Sequence, residues 1–232
     1  MLSRLRRQKP GPESVIATTD LVPLARVPAT VRQEMQYLWT RLLVHDGLVP
    51  RSIGVTSQVS GEGVSFICHA LAVAMAETRR TCIVEANWWG EALPLPEPTA
   101  GLAGLLEGSA AIGDVMVETN YPGLSILPAG EFRDVERAAV HGPDAMEAVI
   151  AQIHEDHDHV IIDLPALTVS STALGFAAAA EASLLVARQK SARMDEVERS
   201  MADLRETNLL GVVLNDNHVA MPRLLQHALL HS

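Results

Sequence analysis

Short apolar runs alternate with longer amphipathic segments along most of the chain. The runs are rich in Val, Ile and Leu, which is typical of strands buried on both faces of a sheet. They predict strands at 52–56, 81–85, 124–127, 160–163, 182–186 and 211–214. The segments between them have helical spacing, and Thr30 is the predicted cap of the first. They predict helices at about 31–46, 64–78, 101–107, 111–117, 143–155, 170–180, 194–206 and 221–230.

This alternation predicts one α/β domain over residues 29–232. Strands joined by helices form a doubly wound, mostly parallel sheet with helices on both faces, because the crossovers are right-handed. Residues 1–28 contain four prolines and little periodicity, so a flexible or extended lead is expected. A proline-containing loop is expected at 87–100. Four basic residues near the start form either a solvated tail or a contact for anionic lipid: Arg4, Arg6, Arg7 and Lys9.

Composition narrows the classes of function. Hydrophobic residues make up 48% of the 232 residues but aromatic residues only 3%, so aliphatic side chains must fill the core. The net charge of −10 argues against a general nucleic-acid binder, which needs a basic surface. Cys68 and Cys82 lack metal-ligand spacing and are expected to be buried, reduced thiols. No apolar run approaches a membrane span, and no apolar segment follows the basic start, so a cytoplasmic protein is expected.

The stretch from Ile53 to Phe66, IGVTSQVSGEGVSF, predicts a strand, a glycine-containing turn and a helix. This is the build of a phosphate-binding P-loop, whose consensus is G-x-x-x-x-G-K-[ST]. Gly63 and Ser65 match the last glycine and the hydroxyl, but Val64 stands where the lysine belongs. The backbone N–H groups of the loop remain able to bind an anion at the helix start. The candidate nucleotide-binding residues are Ser60, Gly61, Glu62, Gly63, Val64, Ser65 and Phe66.

A second candidate is Asp163, which ends the apolar strand 160–163. Ligands of open α/β sheets bind beyond the carboxyl ends of the strands. The loop and Asp163 both fall at that edge, so they are expected to lie together.

Six segments together resemble a known family: SGEGVS (60–65), IVEAN (83–87), GLAGLLEG (101–108), LPAG (127–130), VIIDLP (160–165) and GVVLN (211–215). From about Thr30 to Asn215 the chain resembles the cytoplasmic domain of bacterial tyrosine kinases of the CpsD/CapB type. These kinases lie within the MinD/ParA-like class of deviant P-loop ATPases. The resemblance implies ATP or ADP with Mg²⁺ as the ligand. It assigns Ser65 to the metal and Asp163 to the Walker B acid that holds the metal's water.

Asn215 stands where the family's adenine-reading asparagine lies. It is either a residue that contacts a base or an ordinary cap or turn residue.

The chain departs from the family at several catalytic positions. Val64 replaces the loop lysine, Thr172 replaces an aspartate in the helix after the Walker B strand, and Glu85-Ala86-Asn87 replaces the Asp-x-Asp motif. Losing the lysine removes a contact worth about 1.5–3 kcal/mol, or about 10- to 150-fold in affinity, so weak nucleotide binding survives. Catalysis should suffer more, because phosphoryl transfer depends on positioned cations. Glu62 and Glu85 would add negative charge beside a triphosphate.

Other departures concern assembly. Gln33, Gln36 and Trp39 occupy the family's ring-forming E-x-x-R-x-x-R motif, and the chain ends without the usual tyrosine cluster. The expectation is therefore a catalytically degenerate pseudokinase of capsule or exopolysaccharide production. It would be a monomer or dimer alone and would dock, as a scaffold or regulator, on a chain-length or export protein at the inner membrane. The alternatives are an active ATPase or tyrosine autokinase with an unusual site, and a MinD/ParA-like positioning ATPase.

Three further features have alternative interpretations. The run from His154 to His159 is either a solvated turn, which is favoured, or a metal cluster without an evident further ligand. Trp88 and Trp89 form either an exposed docking surface or a loop packed on its own domain, and Trp39 is a further interaction candidate. The helix predicted at 221–230 either covers the core, which is favoured, or binds a partner.

Overall fold

The computed structural model describes residues 15–16, 29–44, 49–90, 99–119, 121–132, 141–189 and 193–216. In these residues the strands are β1 (Val15–Ile16), β2 (Ser52–Ser57), β3 (Thr81–Glu85), β4 (Val117–Thr119), β5 (Leu124–Leu127), β6 (His159–Asp163), β7 (Ala182–Arg188) and β8 (Leu209–Asn215). The helices are α1 (Ala29–Val44), α2 (Val64–Ala76), α3 (Gly101–Leu106), α4 (Ile112–Val115), α5 (Pro143–Ile153), α6 (Thr172–Ala179) and α7 (Met194–Asp203). A 3₁₀ turn, Arg205–Thr207, follows α7.

All eight of these strands form one sheet in the order β1-β4-β5-β3-β6-β2-β7-β8. Every neighbouring pair is parallel except β4 and β5. The predicted doubly wound, mostly parallel sheet is confirmed. β2 lies between β6 and β7, so the loop that follows β2 emerges beside the ends of both strands.

Helices cover the sheet on both sides. On one side α1 and α2 pack on alternate strand residues such as Ile53 and Ile83. On the other side, side chains from α3, α5 and α6 pack on Val84 and Ile162. Because the strands are buried on both faces, they need continuous apolar runs, which explains why those runs identified them. Cys68 and Cys82 are buried and free, as expected.

The edges of several elements differ from the prediction. Thr30 lies inside α1, which begins at Ala29, so Thr30 is not its cap. The helix predicted at 111–117 is one short turn, α4, and its last predicted residue instead begins the strand β4. Val15–Ile16, within the predicted lead, pair with β4. The helix predicted at 221–230 lies outside the described residues.

Candidate functional site

The carboxyl ends of five strands bring the candidate residues to one edge of the sheet. The phosphate-loop segment follows β2, and Glu85, Asp163, Arg188 and Asn215 end β3, β6, β7 and β8. β6 pairs with β2 on one side and with β3 on the other. The loop, Glu85 and Asp163 are therefore neighbours, as the sequence predicted for the loop and Asp163.

Two glycines give the loop its shape. Gly61 has φ of 85° and Gly63 has φ of 93°, a left-handed conformation that side-chain-bearing residues rarely adopt. A Cβ at Gly63 would also collide with the side-chain amide of Asn215. Helix α2 begins at the next residue without a side-chain cap. Its first backbone N–H groups remain available to an anion.

Glu62 ties the loop to the end of the sheet. Its side chain is buried, and its carboxylate accepts hydrogen bonds from the backbone N–H of Val59 at 3.4 Å and of Arg188 at 3.3 Å. The carbonyl oxygen of Glu62 accepts a hydrogen bond from Asn215 Nδ2 at 2.8 Å. Glu62 and Asn215 therefore brace the loop against β7 and β8. A contact of Asn215 with a base remains a prediction.

Val64 is the first residue of α2, and its side chain is 8% exposed. It belongs to the apolar core beneath the helix, with Ile67 and Cys68. Position 64 thus contributes packing and no positive charge. Ser65 is exposed at the same helix start, and Phe66 packs partly against the core.

Glu85 and Asp163 are a carboxylate pair on adjacent strands, in direct register. Burial raises the pKa of Asp163 to about 7, although a hydrogen bond from Ser65 opposes the shift. Burial and the charge of Asp163 raise the pKa of Glu85 to about 8, against a backbone hydrogen bond from Ala129. Oδ1 of Asp163 is buried and has no hydrogen-bond partner among the described residues.

Asp163 and Ser65 suit a magnesium ion in chemical type. Mg²⁺ prefers oxygen ligands and is commonly held by one or two carboxylates together with substrate phosphates. The unpartnered Oδ1 is consistent with that use. With nucleotide bound, the metal would neutralise phosphate charge there.

A cleft of about 230 Å³ opens beside this pair. Asn87 lies in it, whereas Thr172 does not line it. The Thr172 hydroxyl accepts a hydrogen bond from Ser170 Oγ at 2.9 Å in the turn that starts α6. The lining residues are Ser65, Glu85, Asn87, Trp88, Gly90, Ala129, Gly130, Glu131, Phe132 and Asp163.

One wall of this cleft comes from the segment after β5, which sequence reasoning did not place in the site. The backbone N–H groups of Leu102 and Ala103 donate to Pro128 O at 2.8 Å and Ala129 O at 2.9 Å. Backbone hydrogen bonds therefore hold the segments 101–108 and 127–130 together as one structural unit. The position of 127–130 at a strand end was the signal that could have placed it in the site.

The three tryptophans have different environments. Trp88 Nε1 donates to Ala129 O at 3.0 Å, and its ring lies 4.9 Å from that of Phe132. Trp88 therefore packs on its own domain, whereas Trp89 is 40% exposed. Trp39 is 4% exposed and contacts the ring of His159 edge-on, so its place is the core and not the surface.

The histidine run lies at the opposite edge of the sheet, before β6. His157 and His159 are buried, so the solvated turn predicted there is wrong for these two residues. His157 Nε2 lies 3.0 Å from Ser125 Oγ, and the packing on Trp39 explains the burial of His159. In the described part of the chain, no three His, Cys, Asp or Glu side chains converge on a metal-binding geometry.

None of the helices the structure describes is both long and apolar enough to cross a bilayer.

Sequence comparison identifies bacterial tyrosine kinases as relatives. No family model matches the chain. The tyrosine-protein kinase CpsD of Streptococcus agalactiae is 26% identical over 170 residues, which cover 70% of this chain and 74% of the relative. The succinoglycan biosynthesis transport protein ExoP of Rhizobium meliloti is 30% identical over 179 residues, which cover 73% of this chain and 22% of that protein. The resemblance to this group is confirmed.

Solved structures share the fold. The kinase domain of the Escherichia coli tyrosine kinase ETK has a TM-score of 0.73 at 20% identity, covering 94% of this chain and 88% of that one. The Pyrococcus furiosus cell division ATPase MinD gives 0.62 at 22%, covering 77% and 79%. Cobyrinic acid a,c-diamide synthase of Mycobacterium smegmatis, with bound ATP analog and magnesium, gives 0.60 at 22%, covering 78% of each. The predicted P-loop NTPase fold is confirmed.

Proposed function

We propose that this chain is a catalytically degenerate, tyrosine-kinase-like P-loop protein of capsule or exopolysaccharide biosynthesis. It acts as a scaffold or regulator at the cytoplasmic face of a membrane chain-length or export protein. The relatives support the setting, since they include tyrosine kinases and a succinoglycan biosynthesis transport protein. Because catalysis is lost in this proposal, the chain's remaining role is to dock on the membrane protein.

The observation that carries the proposal is the burial of Val64 in the core beneath α2. A P-loop lysine supplies positive charge to the β- and γ-phosphates, and this side chain supplies none. The loop keeps its left-handed glycines and its available N–H groups, so it retains the shape of an anion site. Weak binding of ATP or ADP with Mg²⁺ is consistent with this combination, whereas efficient phosphoryl transfer is not.

Further observations support the loss of catalysis. Two carboxylates, Glu85 and Asp163, face the cleft without a paired cation among the described residues. A triphosphate brought beside them would be repelled by their ionised forms, which weakens binding. Asn87 and Thr172 carry no charge at positions where the family has aspartates.

Enzyme assays on the purified chain test the proposal. ATP hydrolysis and phosphotyrosine are measured with Mg²⁺, and Asp163→Asn is the matched control because it removes the Walker B charge and keeps the shape. We expect both signals to equal those of the Asp163→Asn variant. Turnover that this substitution abolishes would establish the opposing function, an active ATPase or autokinase. The retained contact between Ser65 and Asp163 favours that second candidate.

A further inference from the structure

The cleft beside β3 and β6 concentrates acidic side chains. Glu85 and Asp163 are neighbours in register, and Glu131 also lines the cleft. The ion pairs found among the described residues lie elsewhere: Arg188–Asp216, Arg193–Asp195 and Arg199–Asp195. Within the described chain these three carboxylates therefore have no cationic partner.

One oxygen at the base of this cleft is left without a donor. Asp163 is 3% exposed, Ser65 donates a hydrogen bond to its carboxylate, and Oδ1 has no partner in the described residues. A buried acceptor without a donor is destabilising. The position favours a donor that comes from outside the described residues.

The other walls favour an organic cation over a bare metal. Trp88 and Phe132 line the cleft with aromatic rings, which attract a guanidinium or ammonium group through cation–π contacts. The volume of about 230 Å³ is several times the roughly 30 Å³ that one water occupies. An arginine fits these features better than a lysine, because its planar group stacks on rings and binds carboxylates through two parallel hydrogen bonds.

We propose that this cleft binds the guanidinium group of an arginine from a cytoplasmic juxtamembrane segment of the chain's membrane partner. The identity of the partner rests on the proposed function; the preference for arginine rests on the cleft alone. Cytoplasmic segments next to membrane helices carry an excess of Lys and Arg, and this chain carries a net charge of −10. Trp89, beside Trp88 and 40% exposed, offers apolar surface for the rest of such a segment.

Peptide binding to the purified full chain tests this proposal. The probe is a short capped peptide with one arginine between alanines, and its control has citrulline, which is neutral and of similar shape. By isothermal titration calorimetry we expect the arginine peptide to bind at least about tenfold more tightly than the citrulline peptide. Glu85→Gln and Asp163→Asn should each remove that preference. Glu155→Gln, at an exposed glutamate on the opposite edge of the sheet, should keep it.

Each of the following outcomes would contradict the proposed arginine site. Equal binding of both peptides, or an arginine preference that persists in the Glu85→Gln/Asp163→Asn double variant, shows that this cleft does not select the group. Magnesium chloride is titrated alone in parallel. Magnesium binding that Asp163→Asn abolishes, without an arginine preference, assigns the acids to a metal. Thermal melts by circular dichroism identify variants that fail to fold. The proposed function is decided separately, by hydrolysis and phosphotyrosine.

Discussion

Position 64 allows a direct test of what the missing loop cation does. We predict that Val64→Lys raises the affinity for Mg²⁺–ATP by about tenfold or more, because a charge-assisted contact to phosphate adds about 1.5–3 kcal/mol. The lysine stem would replace Val64 in the core while its ammonium extends out to the loop. Calorimetric titration of ATP measures the change. Val64→Met is the control, since it has an unbranched side chain of similar length without charge.

Equal affinities of the Lys and Met variants would contradict an anion site at this loop. We expect no kinase activity from Val64→Lys, because Asn87 and Thr172 still stand where the family has aspartates.

His69 makes folding stability depend on pH. It lies in α2, both of its ring nitrogens lack partners among the described residues, and burial lowers its pKa from 6.5 to about 4. Below pH 6.5 the unfolded chain takes up a proton that the folded chain refuses until about pH 4. The contribution of neutral His69 to the free energy of unfolding is therefore fully present above pH 6.5. About 3 kcal/mol of it is lost as the pH falls to 4.

Urea unfolding at several pH values across this window measures the effect. We expect His69→Met to remove the His69 contribution, so that the free energy of unfolding falls less between pH 6.5 and pH 4 than in the unmodified chain, because the substituted side chain does not titrate. The buried His157 and His159 act in the same direction, whereas Glu85 and Asp163, whose pKa values are raised in the folded chain, act in the opposite direction, so the comparison is between the unmodified chain and the variant and not with a flat line. An unchanged slope in His69→Met would contradict the assignment.

Sequence reasoning located some site residues and missed others for a physical reason. Ser65 and Asp163 could be placed because each belongs to a local pattern at the end of a strand. The wall that includes Ala129 and Phe132 was missed: its position after a strand was a signal, but its place in the cleft depends on how the segment after β5 crosses α3. The raised pKa values of Glu85 and Asp163 likewise come from tertiary burial.

At the scale of elements, α3 and the segment after β5 cross in close contact at a glycine. Gly130 has φ of 68°, and a Cβ there would collide with the carbonyl oxygen of Ala100. Gly108 has the same φ of 68° but open space around it. Substitutions at Gly108 and Gly130 therefore separate the free-energy cost of the left-handed backbone conformation from the cost of the contact with Ala100.

We predict that Gly108→Ala costs about 1–2 kcal/mol of unfolding free energy, from the left-handed conformation alone. Gly130→Ala should cost at least about 1 kcal/mol more, because a backbone oxygen must move to admit the methyl group. Urea denaturation of the two variants gives the difference. Equal costs would show that the crossing is not tightly packed in solution.

The elements that the sequence predicted best are the buried strands β2, β3 and β5, where continuous apolar runs leave little choice. The elements that it missed are short. β1 has two residues and β4 has three, and such lengths are too short for periodicity to separate a strand from a helix end. β4 pairs with β5 and β1 pairs with β4, so the position of each depends on its neighbouring strand and not on local pattern.

At the scale of the whole molecule, α1 bears on assembly. Two of its three ring-motif positions are engaged within the chain: Trp39 is buried against His159, and Gln36 Nε2 donates to Glu77 Oε2 at 2.9 Å. Gln33 is exposed but uncharged. These three positions therefore offer no charged side chain for ionic contacts between subunits.

We predict that the chain alone is a monomer or dimer. Its net charge of −10 adds repulsion between copies that no ring-forming arginine offsets. Light scattering coupled to size exclusion measures the state, and low salt is the most informative condition because it strengthens charge effects. Trp39→Arg should not restore a ring, since it would place an unpaired charge in the core and destabilise α1. A stable octamer of the unmodified chain would contradict the prediction and would mean that subunits assemble through a surface other than these α1 positions.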